Sequence, residues 1–145
     1  MLCAGIVRRP GWKVLDAKGG DFVARIPPLP SGVKEVKWDM IEWIHGVTSF
    51  YPWEALDILK EIREILSTGG MLVLEQPDFR KAIESRRVEW LFGDPAPRDP
   101  LHMNHWAYTP ETLRKVLEEA GFSDTRLFPA QHHFPDRDFR VEAYR

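Results

Sequence analysis

Apolar residues recur at helical spacing over residues 54–66, while charged side chains fill the opposite face. This pattern predicts an amphipathic helix, with acidic residues near its positive end and Gly69-Gly70 ending it. The next four residues, 71–74, form a short apolar run that is typical of a strand buried on both faces. A helix followed at once by a buried strand indicates half of a crossover unit in a parallel sheet.

A second helix is predicted after Thr109, which is a good N-cap and precedes a proline at the first helical position. Gly121 is predicted to form the left-handed turn that ends this helix. Two strand-like segments follow, near residues 125–129 and 139–144. Their short link favours an antiparallel pair at the edge of the sheet.

The N-terminal third is predicted to hold short strands near residues 2–7, 13–16, 22–26 and 36–43. The first links are too short for full crossover helices, so one face of the sheet is expected to be thinly covered. An exposed apolar sheet face is a liability unless a partner buries it, so we predict a homodimer. A proline-rich loop is expected over residues 93–100.

The chain has 145 residues, a net charge of −2 and 43% hydrophobic residues, which suits a single domain over residues 1–145 with one core. No apolar run approaches the roughly 20 residues of a membrane span, and no signal-like leader is expected. The single cysteine suits a reducing cytoplasm. Near-neutral charge removes the electrostatic reason to expect nonspecific nucleic-acid binding.

Several segments resemble the small class I S-adenosylmethionine (SAM)-dependent methyltransferases, of the type 11 kind. Trp38-Asp39-Met40-Ile41 is similar to the family's fourth strand, and Leu66-Ser67-Thr68-Gly69-Gly70 to its "LKPGG" turn. Gln76-Pro77-Asp78 resembles the "PD" after the fifth strand, and Glu119-Ala120-Gly121-Phe122 the "eeaGF" segment. The resemblance implies an α/β, Rossmann-like sheet that is mostly parallel, with an antiparallel C-terminal edge pair and reduced helices on one face.

The same resemblance places Leu2-Cys3-Ala4-Gly5 where the family has "LGCG", and Asp16 at the end of its second strand. It implies SAM as the cofactor and transfer of a methyl group to an unidentified acceptor. The cofactor contacts it implies are Cys3, Ala4, Gly5, Asp16, Arg25, Ile26, Ile44 and His45.

Three departures make the cofactor motif degenerate. Cys3 replaces the family's first glycine, Arg25 stands where many relatives carry an acid, and Thr48-Ser49 replaces "EH". A catalytically silent domain that acts in binding or assembly is therefore an alternative. A shortened relative whose pocket another subunit completes is a further one.

Asp16 has two interpretations that spacing alone leaves equal. An ionised carboxylate at the end of a parallel strand can accept both ribose hydroxyls. The same side chain can cap the turn that leads into Gly19-Gly20. The resemblance favours the ribose.

His45 and His105 are the candidate catalytic residues, because methyl transfer needs an aligned acceptor and sometimes a base. The alternatives are that His45 is satisfied in a packed turn and that the His105 ring packs on Trp106 and Tyr108. Asp78 is interpreted as the cap of the next helix.

No metal site is predicted. His102 and His105 with Asp94 or Asp99 lack a helical two-histidine pattern. His132 and His133 are adjacent and would point apart in a strand.

Overall fold

The computed structural model describes residues 9–93, 95, 98, 100 and 103–145. In this part of the chain the strands are β1 (Leu15–Asp16), β2 (Phe22–Val23), β3 (Trp38–Ile44), β4 (Leu66–Pro77), β5 (Asp124–Pro129) and β6 (Asp138–Tyr144). The α-helices are α1 (Ser31–Lys34), α2 (Pro52–Ile65), α3 (Phe79–Glu84), α4 (Glu89–Phe92) and α5 (Pro110–Glu119). Of the helices described, none has the length and apolar character that crossing a bilayer would require.

Four strands form the larger sheet in the order β3-β4-β6-β5. β3 and β4 run parallel, whereas β6 is antiparallel to both of its neighbours, β4 and β5. β1 and β2 form a separate parallel pair. The predicted α/β fold with antiparallel strands at its C-terminal edge is confirmed.

The boundary between α2 and β4 differs from the prediction. The helix ends at Ile65 and the strand begins at the next residue, so Gly69-Gly70 lie within β4 and do not end α2. Leu66 is already extended and pairs with Trp38. Gly69 has a φ of +74°, and the register of β3 against β4 shifts between Trp38 and Met40. The pairing of Leu66 with β3 therefore ends α2, and the chain reaches Gly69 and Gly70 only after it has become a strand.

The second predicted helix is confirmed as α5. Thr109 is its N-cap and exchanges hydrogen bonds with Thr112, so two otherwise unpaired backbone donors are satisfied. Gly121 follows with a φ of +95°, in the left-handed region predicted for it. The two strands predicted after it are β5 and β6.

The N-terminal strands are shorter than predicted. β1 and β2 have two residues each, within the predicted segments 13–16 and 22–26. The strand predicted at residues 2–7 lies outside the described residues, and the loop at 93–100 is described only in part. α1 is a single helical turn that the sequence did not predict.

One face of the larger sheet packs on α2 and α5 to form the core. Trp43, Leu72, Leu74 and Val141 point to this side and are fully buried. From the helices, the core receives Ile58, Leu59, Ile62, Leu113 and Leu117.

The opposite face of the sheet is charged. Strand pairing puts Glu42, Val73 and Glu142 in one row across this face, and Glu75 beside Arg140 in the next. We expected an exposed apolar face. Charged side chains occupy its central rows instead, and apolar side chains are exposed toward its margins, at Met40 and Phe128. The homodimer inferred from that expectation stays a prediction.

Gly46, which follows β3 closely, lies against the indole of Trp43. A Cβ built on Gly46 would be 1.9 Å from the Trp43 Nε1, and the φ of Gly46 is an ordinary −99°. We expect Gly46→Ala to lower the free energy of unfolding by about 2 kcal/mol, because a buried indole cannot move without repacking the core. Urea unfolding followed by tryptophan fluorescence measures this.

The control is Gly19→Ala, since a Cβ there meets nothing within 4 Å. It is expected to cause no loss of stability. Equal stability of the two variants would contradict the close packing of Gly46 on Trp43.

Candidate functional site

The carboxyl ends of β3 and β4 lie side by side, and β6 begins next to them because it runs antiparallel to β4. His45 directly follows β3, and its backbone N–H donates to the Glu75 carbonyl over 2.7 Å. Its φ of 55° lies in the left-handed region, which is uncommon for a residue with a side chain. The turn thus places the His45 ring at the edge of the sheet.

Asp138, the first residue of β6, pairs with the His45 ring. The His45 Nε2 is 2.7 Å from the Asp138 Oδ2, and the Asp138 carboxylate is fully buried. Arg137 donates to both oxygens of that carboxylate, over 2.6 Å to Oδ1 and 2.8 Å to Oδ2. The Arg137 Nη2 also lies 3.3 Å from the His45 Nε2. The Asp138 carboxylate, which Arg137 holds through two hydrogen bonds, therefore anchors the His45 ring.

The charge state of Asp138 determines which group donates in the hydrogen bond between Asp138 and His45. Burial acts to raise the pKa of Asp138, but the hydrogen bonds from His45 and Arg137 outweigh it and hold the pKa below its ordinary value. An ionised carboxylate can only accept hydrogen bonds, so the His45 Nε2 carries a hydrogen atom and donates a hydrogen bond to Asp138. In neutral His45 the lone pair is then on Nδ1.

His133 stacks on His45 from the loop that joins β5 to β6. The two ring centroids are 4.0 Å apart, and the ring planes meet at 33°. Partial desolvation in this stack lowers the pKa of His133, and the neighbouring His45 lowers it further. Neutral imidazole is therefore the form of His133 that this contact favours.

The loop that carries His133 is held by a buried carboxylate in β4. Glu75 is fully buried and accepts backbone N–H bonds from Gln131, over 2.6 Å, and from His132, over 2.9 Å. The Arg140 Nη1 lies 3.5 Å from the same carboxylate. Glu75 thus fixes the backbone immediately before His133.

Further ion pairs extend this network over the charged face of the sheet. Arg140 donates to Glu142 over 2.9 and 3.0 Å, and Arg9 pairs with Glu42. The His132 Nε2 lies 3.5 Å from the Glu42 Oε1. His132 and His133 therefore face different partners, as their adjacency predicted.

Asp78 caps its helix as predicted, and Asp16 makes the turn-capping bond that was one of its two interpretations. The Asp78 Oδ1 accepts the backbone N–H of Arg80 over 2.9 Å and caps α3. The Asp16 Oδ1 accepts the backbone N–H of Lys18 over 2.9 Å, so Asp16 does cap its turn. A carboxylate offers about four acceptor positions, so a capping bond does not by itself exclude a ribose contact.

The other predicted cofactor residues are spread over the fold. Arg25 is exposed beyond β2, and Ile26 packs against the core. Ile44 is the last residue of β3 and pairs with Glu75. Cys3, Ala4 and Gly5 lie outside the described residues.

His105 is placed with partners other than His45. Its ring stacks on Tyr51, with centroids 5.0 Å apart, and not on Trp106 or Tyr108 as the packed alternative supposed. Its backbone N–H donates to the Thr48 carbonyl over 2.8 Å. The remaining residues of the rejected metal set, His102, Asp94 and Asp99, lie outside the described part of the chain.

Three fully buried side chains near these strand ends keep polar atoms without hydrogen-bond partners among the described residues. They are the Trp43 Nε1, the Gln76 amide and the Tyr108 hydroxyl. Each such atom costs about 1–3 kcal/mol when buried. Burial also raises the pKa of Tyr108 to about 12, so its hydroxyl stays protonated at physiological pH.

Sequence reasoning missed Asp138, Arg137, His133 and Glu75. A weak signal existed for Glu75, which interrupts an otherwise apolar strand and therefore had to be paired or exposed. The adjacent Arg137 and Asp138 open the last strand, but nothing local indicates that they meet His45. Only the antiparallel insertion of β6 beside β4 brings them there.

Solved structures of SAM-dependent methyltransferases superpose on this fold. A SAM-dependent methyltransferase from Archaeoglobus fulgidus gives a TM-score of 0.59 at 16% identity, over 91% of this chain and 75% of that one. One from Thermotoga maritima gives 0.59 at 14% identity, over 90% and 72%. Human N-acetylserotonin methyltransferase, solved with SAM, gives 0.53 at 16% identity, over 82% and 31%.

These likenesses show the class I methyltransferase fold. The chain spans about a third of the length of several of its structural relatives, such as 32% of an O-methyltransferase family protein from Burkholderia thailandensis. No protein-family model matches the chain, and no curated protein matches it.

Glu75→Gln tests the buried carboxylate that holds the loop. The amide keeps one acceptor oxygen but loses the charge beside Arg140, so we expect a loss of about 3 kcal/mol in unfolding free energy. Faster amide exchange at Gln131 and His132 should accompany it, measured by hydrogen exchange. Glu119→Gln, at an exposed position, is the matched control and should stay within about 0.5 kcal/mol. Unchanged exchange at both loop amides would show that Glu75 does not hold the loop.

Proposed function

We propose that this chain is a small SAM-dependent methyltransferase, of the type 11 kind, with a degenerate cofactor motif and an unidentified acceptor. The observation that carries the proposal is the His45–Asp138 pair at the carboxyl ends of β3 and β4, in a class I methyltransferase fold. Ligands of open α/β sheets bind outside the carboxyl ends of the strands. We place the protein in the cytoplasm, in keeping with its single cysteine.

The described residues fit the cofactor in part. Asp16 lies at the carboxyl end of β1 and would hold the ribose hydroxyls, while Ile26 and Ile44 would offer apolar contact. When bound, SAM would supply an electrophilic methyl group. The chain itself has to hold the acceptor in line, exclude water and take up a proton.

His45 is suited to the proton transfer. With Nε2–H donated to Asp138, the Nδ1 lone pair can accept the proton of an acceptor hydroxyl or amine as the methyl group is transferred. Bound SAM would give up its methyl group to the acceptor and would leave as S-adenosylhomocysteine, while His45 would take the proton that the acceptor loses. The buried Asp138 carboxylate stabilises the resulting imidazolium, and Arg137 keeps that carboxylate oriented.

A silent, methyltransferase-like binding domain is the second candidate, and two observations favour it. The carboxylate of Asp16 already serves its own turn through Lys18. Arg25, placed where many relatives carry an acid, is exposed. In this alternative the fold persists without cofactor binding.

Cofactor binding separates the two candidates. We expect saturable binding of SAM and S-adenosylhomocysteine by isothermal titration calorimetry, weakened about tenfold or more in Asp16→Ala because a charged acceptor for the ribose is lost. Asp16→Asn keeps an oxygen to cap the turn but loses the charge, and should also bind more weakly. Asp57→Ala, at an exposed helical position, is the control and should bind normally.

Absence of binding at millimolar ligand, with folded protein, would favour the silent domain. If binding is found, an acceptor screen with radiolabelled methyl groups follows. His45→Ala should then lower the rate at saturating SAM by roughly 10²–10⁴-fold. A rate that His45→Ala leaves unaltered would remove His45 as the base.

We also propose that the protein forms a homodimer, now through α3 and α4. These short helices expose Phe79, Ile83 and Phe92, apolar side chains that a second copy of the chain would bury. Light scattering at micromolar concentration should give twice the monomer mass of 16.9 kDa. Ile83→Glu should shift the protein to monomer, whereas Glu84→Gln on the same helix should not. A monomeric wild-type protein would contradict the proposal.

A further inference from the structure

Three metal-binding side chains from three different segments converge at the edge of the sheet. His45 follows β3, His133 lies in the loop between β5 and β6, and Asp138 begins β6. One potential ligand atom from each lies within 4.8 Å of the other two. We propose that His45, His133 and Asp138 form a binding site for a divalent transition metal ion such as Zn²⁺ or Co²⁺.

The donor set is one that such ions prefer. Imidazole nitrogen and carboxylate oxygen both bind Zn²⁺ and Co²⁺, and two histidines with one carboxylate leave further coordination positions open. Donors around a tetrahedral Zn²⁺ lie about 3.3 Å apart, given bonds of about 2.0–2.1 Å. The potential ligand atoms of the three residues lie within 4.8 Å of one another, so binding the ion would require their side chains to adjust.

The site is held by structure outside the three side chains. The Asp138 carboxylate is fully buried at the start of a paired strand, so its position is fixed by the sheet. Glu75 binds the backbone N–H groups of residues 131 and 132 and holds the loop beneath His133. The φ of 55° at His45 turns its ring toward Asp138. Unusual backbone at a cluster of ligand residues is typical of functional sites.

Metal binding requires two local movements. Arg137 now neutralises Asp138, and its side chain, about one-fifth exposed, must swing outward. The His133 ring must turn away from its 33° stack on His45, because a metal lies in the plane of each imidazole it binds. His133 is exposed and in a loop, so this rotation meets little resistance. In the metal-free protein, Arg137 supplies the positive charge that the ion would bring.

The site accounts for one residue, His133, that the proposed methyl transfer does not use. His133 has no part in that chemistry, yet it is placed against His45 by a buried carboxylate. The metal proposal depends on the geometry of these residues and stands whether or not the chain transfers methyl groups.

Titration of the protein with Co²⁺ tests the site directly. The protein is prepared without a histidine tag, and neither SAM nor an acceptor is present. We expect one equivalent to bind with the visible absorbance of low-coordinate Co²⁺, and Zn²⁺ to displace it. His133→Asn should weaken binding at least about tenfold, the loss expected when a ligand is removed.

His132→Asn is the matched control, because the neighbouring ring faces Glu42 and should leave Co²⁺ binding unchanged. His133 is exposed, so its variant is expected to fold normally, and Asp138→Asn provides a second test if it folds. Absence of Co²⁺ binding, or binding that His133→Asn and His132→Asn affect equally, would overturn the site. Failure of SAM to bind would leave this result untouched.

Discussion

The buried carboxylate of Glu75 is the interaction on which the edge of the sheet depends. A charge in the interior costs several kcal/mol unless it is paired and hydrogen-bonded. Glu75 meets that requirement with two backbone N–H donors from the loop before β6 and with Arg140 from β6 itself. The same contacts fix the loop that carries His133, so the charge in β4 both requires and produces the local order around His45.

The two faces of the larger sheet are stabilised by different interactions. Toward α2 and α5, close-packed apolar side chains supply the hydrophobic stabilisation, and Gly46 lets the chain pass over the Trp43 indole. On the other face, Arg140 of β6 pairs with Glu75 of β4 and with Glu142 of its own strand. The central strands therefore carry charged side chains on this face although the described N-terminal strands lack full crossover helices. Exposed apolar side chains are found on β5, at Leu127 and Phe128, and on α3 and α4.

The sequence identified one residue of the candidate site, His45, but not the residues that surround it. His45 was found because it follows a predicted strand in a segment that resembles the methyltransferases. Its partners are distant along the chain, since Asp138 follows His45 by 93 positions. Adjacency correctly predicted that His132 and His133 face different ways, but it could not show that one of them would meet His45. His105 likewise stacks on Tyr51, a contact that no local pattern indicates.

The sequence by itself determined the helices α2 and α5, the caps at Thr109 and Asp78, the strands β5 and β6, and the α/β class. These features follow from periodicity and capping chemistry, which act over a few residues. The tertiary structure alone decided where α2 ends, what covers each face of the sheet, and which groups surround His45. Those outcomes depend on strand order and register, which join distant segments of the chain. A buried charge such as Glu75 indicates from sequence that a partner exists, but only the folded chain supplies it.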